Sequence, residues 1–290
     1  VQLDEDPGGH EVTGGLSVRR RPGMWLALLM LMGTLLGGCT GPDPAPEETA
    51  SALPRYYDIS ELVAAVAERQ RADGTARLSL DGDVTGRSST LRFTGEGVLR
   101  LETRGVSVRF TQTVTQGDAA PQETGLVVLP GEVYLRQPPG PDTVAGKPWV
   151  RVDPTSSDPA DQQRAVLAAT LTDNADPTTN LARYADATLI ADAADDQVDG
   201  ASAVRYTIVV DLARAAVLQP DPALRAQLEQ QVRNGLTRIT STLWVDGADR
   251  PVRSDVRQEL PGIGTLKLTA GYRDWGQPVD IAPPPAALVR

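Results

Sequence analysis

From Ala76 to Asp81 apolar side chains occupy every second position, and the same period of two returns at 90–101, 105–115, 123–129 and 132–137. That period puts apolar residues on one face of a strand and polar residues on the other. Short glycine-bearing links, such as Thr103-Arg104-Gly105 and Pro130-Gly131, join the runs and predict an antiparallel meander. Gly95 and Gly97, inside one run, predict a bulge or strong curvature. A second set of runs covers 186–190, 201–211, 239–246, 251–260 and 264–273, with turns at Asp246-Gly247 and Pro261-Gly262. In the last of them Leu266, Leu268, Ala270 and Tyr272 share one face, opposite Lys267 and Thr269.

Helical patterns interrupt the strands. Asp58 and Ser60 are candidate caps for a helix whose apolar side is Ile59, Leu62, Val63 and Val66, and Asp73-Gly74 ends it. Further helices are expected at 160–171, at 177–185 after Asp176-Pro177, and at 221–236 with Asp221 before Pro222. Trp149–Asp153 reads as a short strand. Antiparallel runs with inserted helices give an α+β fold and not alternating βαβ units. Periodicity alone leaves two arrangements open, a dry core under helices or an apolar face around a cavity.

Residues 19–39 carry a different signal. Three arginines, Arg19 to Arg21, precede an apolar run from Trp25 to Leu36, and Leu36-Gly37-Gly38 leads into Cys39. The run is too short to span a bilayer comfortably and suits an export leader. Leu36, Gly37, Gly38 and Cys39 resemble a bacterial lipobox, in which the cysteine thiol takes a diacylglycerol and the chain is cut just before it. On this reading 1–38 is the leader, with Val18 as the expected start, and 39–54 is an extended Pro/Ala/Glu linker. A single domain then covers 55–285 and a short tail 286–290. Cys39 would hold the protein on the outer face of the cytoplasmic membrane.

Composition removes several function classes. The net charge is −10 and no basic stripe appears, which argues against nucleic acid as a partner. The only cysteine is Cys39 and the only histidine, His10, falls in the leader. No internal disulfide, His-based catalysis or ordinary zinc site is therefore expected, and no cofactor is implied. Phosphate loops, G-x-S-x-G, H-E-x-x-H and calcium-loop patterns are absent, so the chain is expected not to be an enzyme. The acidic stretch 191–196 reads as a solvated turn, and Trp149, Trp244 and Trp275 as scattered core or rim residues.

Three stretches carry a resemblance: ISELVAAVAERQR with ARLSLDGDV; GEVYLRQPPG with KPWVRVDP; and LWVDGADRPVRSDVRQEL with LKLTAGYRDWGQPVDIAPPPAALV. In this order they resemble the actinobacterial LppX/LprG-type lipoproteins, related to the LolA/LolB carrier fold. The resemblance implies a strongly curved antiparallel sheet, a half-barrel, with helices covering its concave face. It also implies an apolar cavity for the acyl chains of a lipid or glycolipid, and an envelope transporter as a candidate partner. The expected lining lies on the inward strand faces: Leu91, Phe93, Leu99, Leu101, Val106, Val108, Val204, Tyr206, Ile208 and Val210. The alternative is a non-catalytic interaction lipoprotein with a dry core. A continuous cavity well above roughly 300 Å³ separates the two.

Overall fold

The computed structural model describes residues 53–86, 89–103, 105–138, 140, 144–153 and 155–290. The leader, the lipobox, Cys39 and most of the linker lie outside the described residues.

The chain begins with α1 (Ile59–Asp73), followed by six strands: β1 (Thr75–Thr85), β2 (Thr90–Glu102), β3 (Gly105–Gln116), β4 (Gln122–Leu129), β5 (Glu132–Arg136) and β6 (Trp149–Arg151). Two helices follow, α2 (Pro159–Ala175) and α3 (Pro177–Arg183), with a 3₁₀ turn at 185–187. Next come β7 (Thr188–Val198), β8 (Ala201–Asp211), α4 (Leu212–Leu218) and α5 (Pro222–Arg233). The last strands are β9 (Arg238–Asp246), β10 (Pro251–Leu260) and β11 (Gly264–Arg273), and a 3₁₀ turn at 286–288 lies near the C-terminus.

The eleven described strands form one antiparallel sheet in the order β6-β5-β4-β3-β2-β1-β11-β10-β9-β8-β7. Two meanders are thus zipped together by the first and last strands. The connection from β6 to β7 leaves one edge of the sheet and re-enters at the other, so α2 and α3 form a strap across the sheet. The fold is α+β, but the expected strongly curved half-barrel is corrected: the sheet is neither strongly curved nor closed, and β6 and β7 remain as two separate edges. Curvature and closure are built with bulges and glycine kinks. Among the described residues register shifts occur only next to Ile190/Asp192 and Pro251/Arg253, while β1, β2 and β3 pair without interruption.

Gly95 and Gly97 accordingly make no bulge. They face Gln112 and Phe110 in regular register, and the Phe110 ring lies over both. The Phe93 ring lies in the same way over Gly82 of the neighbouring strand. Both phenylalanines of the chain rest on bare backbone, where any Cβ would collide with a ring.

Aspartates start the helices. Asp58 accepts from the Ser60 and Glu61 amides at 2.8 and 3.1 Å, and Gly74 closes α1 in the left-handed conformation at φ 74°. Asp158 and Asp221 cap helices that open with proline, and Asp211 caps α4. The helix α4 was not expected from the sequence. It is a short insertion, and its Leu212, Ala215 and Ala216 pack against Val210 and Leu228.

Strand β7 corrects another expectation. The acidic stretch 191–196 is part of this edge strand, and the turn is Asp199-Gly200, both at positive φ. The acids are held by neighbours: Arg205 reaches Asp192 and Asp196 at 3.5 and 3.8 Å, and Trp244 Nε1 donates to Asp196 at 2.9 Å. Charge along an edge strand deters pairing with another sheet. At the opposite edge the C-terminus protects β6, where Val289 bridges Trp149 in parallel and the Arg290 amide donates to the Trp149 carbonyl at 2.9 Å.

Apolar clusters occupy both faces unequally. Under α2, Leu78, Leu99, Val108, Leu126 and Leu135 pack with Ala168. Under α1, Ile59, Leu62 and Val66 pack with Val204, Tyr206, Ile208 and Leu243. The other face is largely polar, except where Ile281 and Val279 of the C-terminal segment cover Val98, Val127 and Tyr134.

A candidate apolar binding cavity

Between the helices and the sheet lies a cavity of about 650 Å³. Strand pairing explains how its floor forms. Leu80 pairs with Ala270, which pairs with Ser254, which pairs with Leu243. One rung on, Phe93 faces Gly82, Gly82 faces Leu268, and Leu268 faces Val256. Directly opposed residues share a face, so these rows form a mostly apolar floor across the middle strands, with Ser254 within it. The roof comes from Leu181 of α3 and Tyr184 just after it, from Leu212 of α4, and from Leu224 and Leu228 of α5. Polar groups at the lining are few relative to apolar ones, and include Gln112, Asp176, Gln227, Gln231 and Tyr272. This volume falls within the range typical of small-ligand pockets.

The roof differs in firmness along its length. Helix α1 is fastened by Asp73, which accepts from Arg250 Nε at 2.7 Å and from Arg69. Those guanidiniums, Arg250 first, hold its carboxyl below the ordinary range against the opposing effect of burial. Tyr56 adds a hydrogen bond from its hydroxyl to Asp249 at 3.0 Å, and burial with that acid pushes its phenol up to about 12. Helix α5, in contrast, packs mainly on α4. Its connection to α4 is held by Arg225, which donates to the Gln219 carbonyl at 2.6 and 2.9 Å.

The two ends of the sheet also differ. The α4–α5 insertion follows the end of β8, beside the Pro261-Gly262 turn. Val217, Leu218 and Ile263, at 81%, 49% and 61% exposure, are large apolar residues left on the surface there. The segment before α1 enters at the other end, where Leu53 approaches Gly247 in the β9–β10 turn.

The residues expected from sequence divide into groups. Leu91, Phe93, Val108 and Val210 border the cavity. Leu99, with Leu101 and Val106 beside it, belongs to the cluster under α2. Val204, Tyr206 and Ile208 are fully covered under α1. Sequence reasoning missed Leu78, Leu80 and the contribution of α5, although the alternation of 266–272 was plain. The missing information was that β1 and β11, almost two hundred residues apart in the chain, are neighbours.

The tryptophans do not form one platform. Trp149 joins the cluster under the C-terminal segment, Trp244 carries the Arg253 guanidinium 5.1 Å from its ring centre, and Trp275 stacks on Tyr272 at 6.3 Å. Lys147 takes part in a small loop bridge with Val144. Among the described residues no group of three or more His, Cys, Asp or Glu is placed to hold a metal ion. No described helix is long and apolar enough to cross a membrane.

No family model matches the chain, and no curated protein matches it. Among solved structures it is similar to LprF from Mycobacterium bovis, at 14% identity over 79% of this chain and 99% of that one, with a TM-score of 0.42. It is similar to the lipoprotein LppX of Mycobacterium tuberculosis, at 14% identity over 77% of this chain and 99% of that one, with a TM-score of 0.42. A third similarity is to MucB in complex with MucA, at 16% identity over 79% of this chain and 59% of that one, with a TM-score of 0.34.

Proposed function

We propose that this chain is a membrane-anchored lipoprotein that binds the acyl chains of a lipid or glycolipid and carries or presents it in the cell envelope, without catalysis. The observation that carries the reading is the cavity of about 650 Å³ between sheet and helices, lined mainly by Leu, Val, Ile and Phe. Aliphatic walls suit flexible chains, since burial of apolar surface contributes roughly 25 cal/mol per Å² without directional contacts. The volume also weighs against the dry-core alternative.

The anchor is Cys39, after the lipobox Leu36-Gly37-Gly38. About 14 residues separate it from Leu53, roughly 45–50 Å of chain when extended. That reach is comparable to the length of the longest strands, so the tether lets either end of the sheet approach the outer face of the cytoplasmic membrane. An envelope transporter is the candidate partner that would supply or receive the lipid.

The test is native mass spectrometry of protein purified from its own membrane, with extraction of labelled lipid from vesicles alongside. Co-purified lipid released on denaturation is the expected result. Protein free of lipid that also extracts none from vesicles would overturn the proposal.

A further inference from the structure

Tyr272 stands out among the groups that line the cavity. It is 5% exposed, and its ring lies on the same sheet face as Leu268 and Ala270. Trp275 stacks on it at 6.3 Å with 22° between the planes, and Trp275 is itself fixed by donating Nε1 to the Pro251 carbonyl at 2.9 Å. The phenol is thus held in place from behind. Among the described residues its hydroxyl makes no hydrogen bond, and it is not one of the fully enclosed unpaired atoms, so it is not sealed off from the cavity that its residue lines. A hydroxyl that a bound ligand covers without pairing costs affinity.

The nearby acid does not take the proton. Asp176, which also lines the cavity, accepts at Oδ1 from the Thr178 amide at 2.9 Å, from Thr178 Oγ1 at 2.7 Å and from Gln70 Nε2 at 3.3 Å. Its Oδ2 accepts from Thr179 Oγ1 at 3.2 Å. The carboxylate is committed to capping α3 and to joining it to Gln70 of α1. Burial first, and the charge of Asp176 second, hold the Tyr272 phenol above its ordinary range, so it stays a protonated donor.

We infer that Tyr272 is a specificity-determining residue: its hydroxyl donates to an uncharged carbonyl, an acyl ester or amide, of a lipid lying in the cavity, while Asp176 beside it disfavours an anionic head such as a free fatty-acid carboxylate. The inference rests on the cavity being the lipid site. A ligand acceptor would pair this donor, and a ligand lacking it would cover the hydroxyl and leave it unpaired. Sites built around a buried polar group reject analogues without the matching partner.

The experiment compares 1,2-dioleoylglycerol with its diether analogue, 1,2-di-O-oleylglycerol, and with oleate. Binding to the full chain is measured by native mass spectrometry in competition, for wild type and Tyr272→Phe. Wild type is expected to prefer the ester over the diether by about three- to tenfold, the range of one net hydrogen bond, and to bind oleate more weakly than the ester at pH 8. In Tyr272→Phe the ester preference falls to about one. The lipid-free variant keeps or gains thermal stability, because the hydroxyl has no protein partner to lose. A wild type that binds ester and diether equally overturns the inference and leaves lipid binding standing, and this comparison needs no variant to fold. Failure of wild type to bind either diglyceride overturns the cavity reading itself.

Discussion

Asp73 lies in the last turn of α1 and receives two guanidinium groups, Arg69 four residues before it and Arg250 from the far side of the chain. Its side chain is only 8% exposed, while the arginines are about a third exposed. Solvent reaches the cations, so the pair is weaker than a buried one. The acid still accepts several charge-assisted bonds, and Asp73→Asn is expected to cost about 1–3 kcal/mol at neutral pH. Because the folded carboxyl titrates below its unfolded value, its stabilisation is complete above the ordinary carboxylate range and is lost as pH falls through the lowered value. Urea unfolding of wild type and Asp73→Asn should therefore differ at pH 7 and begin to converge only as pH falls below the ordinary carboxylate range. A difference that stays constant with pH would mean the aspartate acts through shape and not charge.

Elements were legible to the degree that their signal was local. The period of two placed β1 to β5 and β8 to β11 to within a few residues, and Asp-Pro pairs placed the starts of α3 and α5. Strand β7 was cut short because 191–196 looks like a solvated turn, and its acids are stabilised by Arg205 and Trp244 from neighbouring strands. Pairing of β1 with β11, and of Phe110 with two glycines, depends on contacts no local pattern encodes. This is why the expected lining scattered: strand faces were readable, but not which helix would cover each stretch. The segment after β11 has little pattern of its own and is still an integral element. Ile281 is 6% exposed against Val98, Val127 and Tyr134. Ile281→Ala should cost about 2–4 kcal/mol in urea unfolding, as for a buried aliphatic truncation. A cost below about 0.5 kcal/mol would show that the segment only rests on the sheet.

At the scale of the molecule the question is why so wide a sheet keeps a space that helices could have filled. Clusters under α1 and α2 are closed by buried residues such as Leu62 and Leu99, both 0% exposed. Beside them Leu181 of α3 and Leu224 and Leu228 of α5 face Leu80 and Leu268 across the cavity. A space of this kind in an apolar core is a stability deficit that a bound ligand can offset. Two changes should then act in parallel. Adding dioleoylglycerol should raise the wild-type melting temperature, with about 2.7 kcal/mol of stabilisation at a hundredfold excess over Kd. Filling the space from the floor with Ala270→Phe should leave the lipid-free protein as stable as wild type or more so, and should abolish the rise with lipid. Scanning calorimetry of both proteins with and without lipid separates the cases. An equal rise in the filled variant would place the lipid elsewhere, whereas a rise confined to wild type makes the empty floor between the two packed clusters the part of the fold that ligand binding completes.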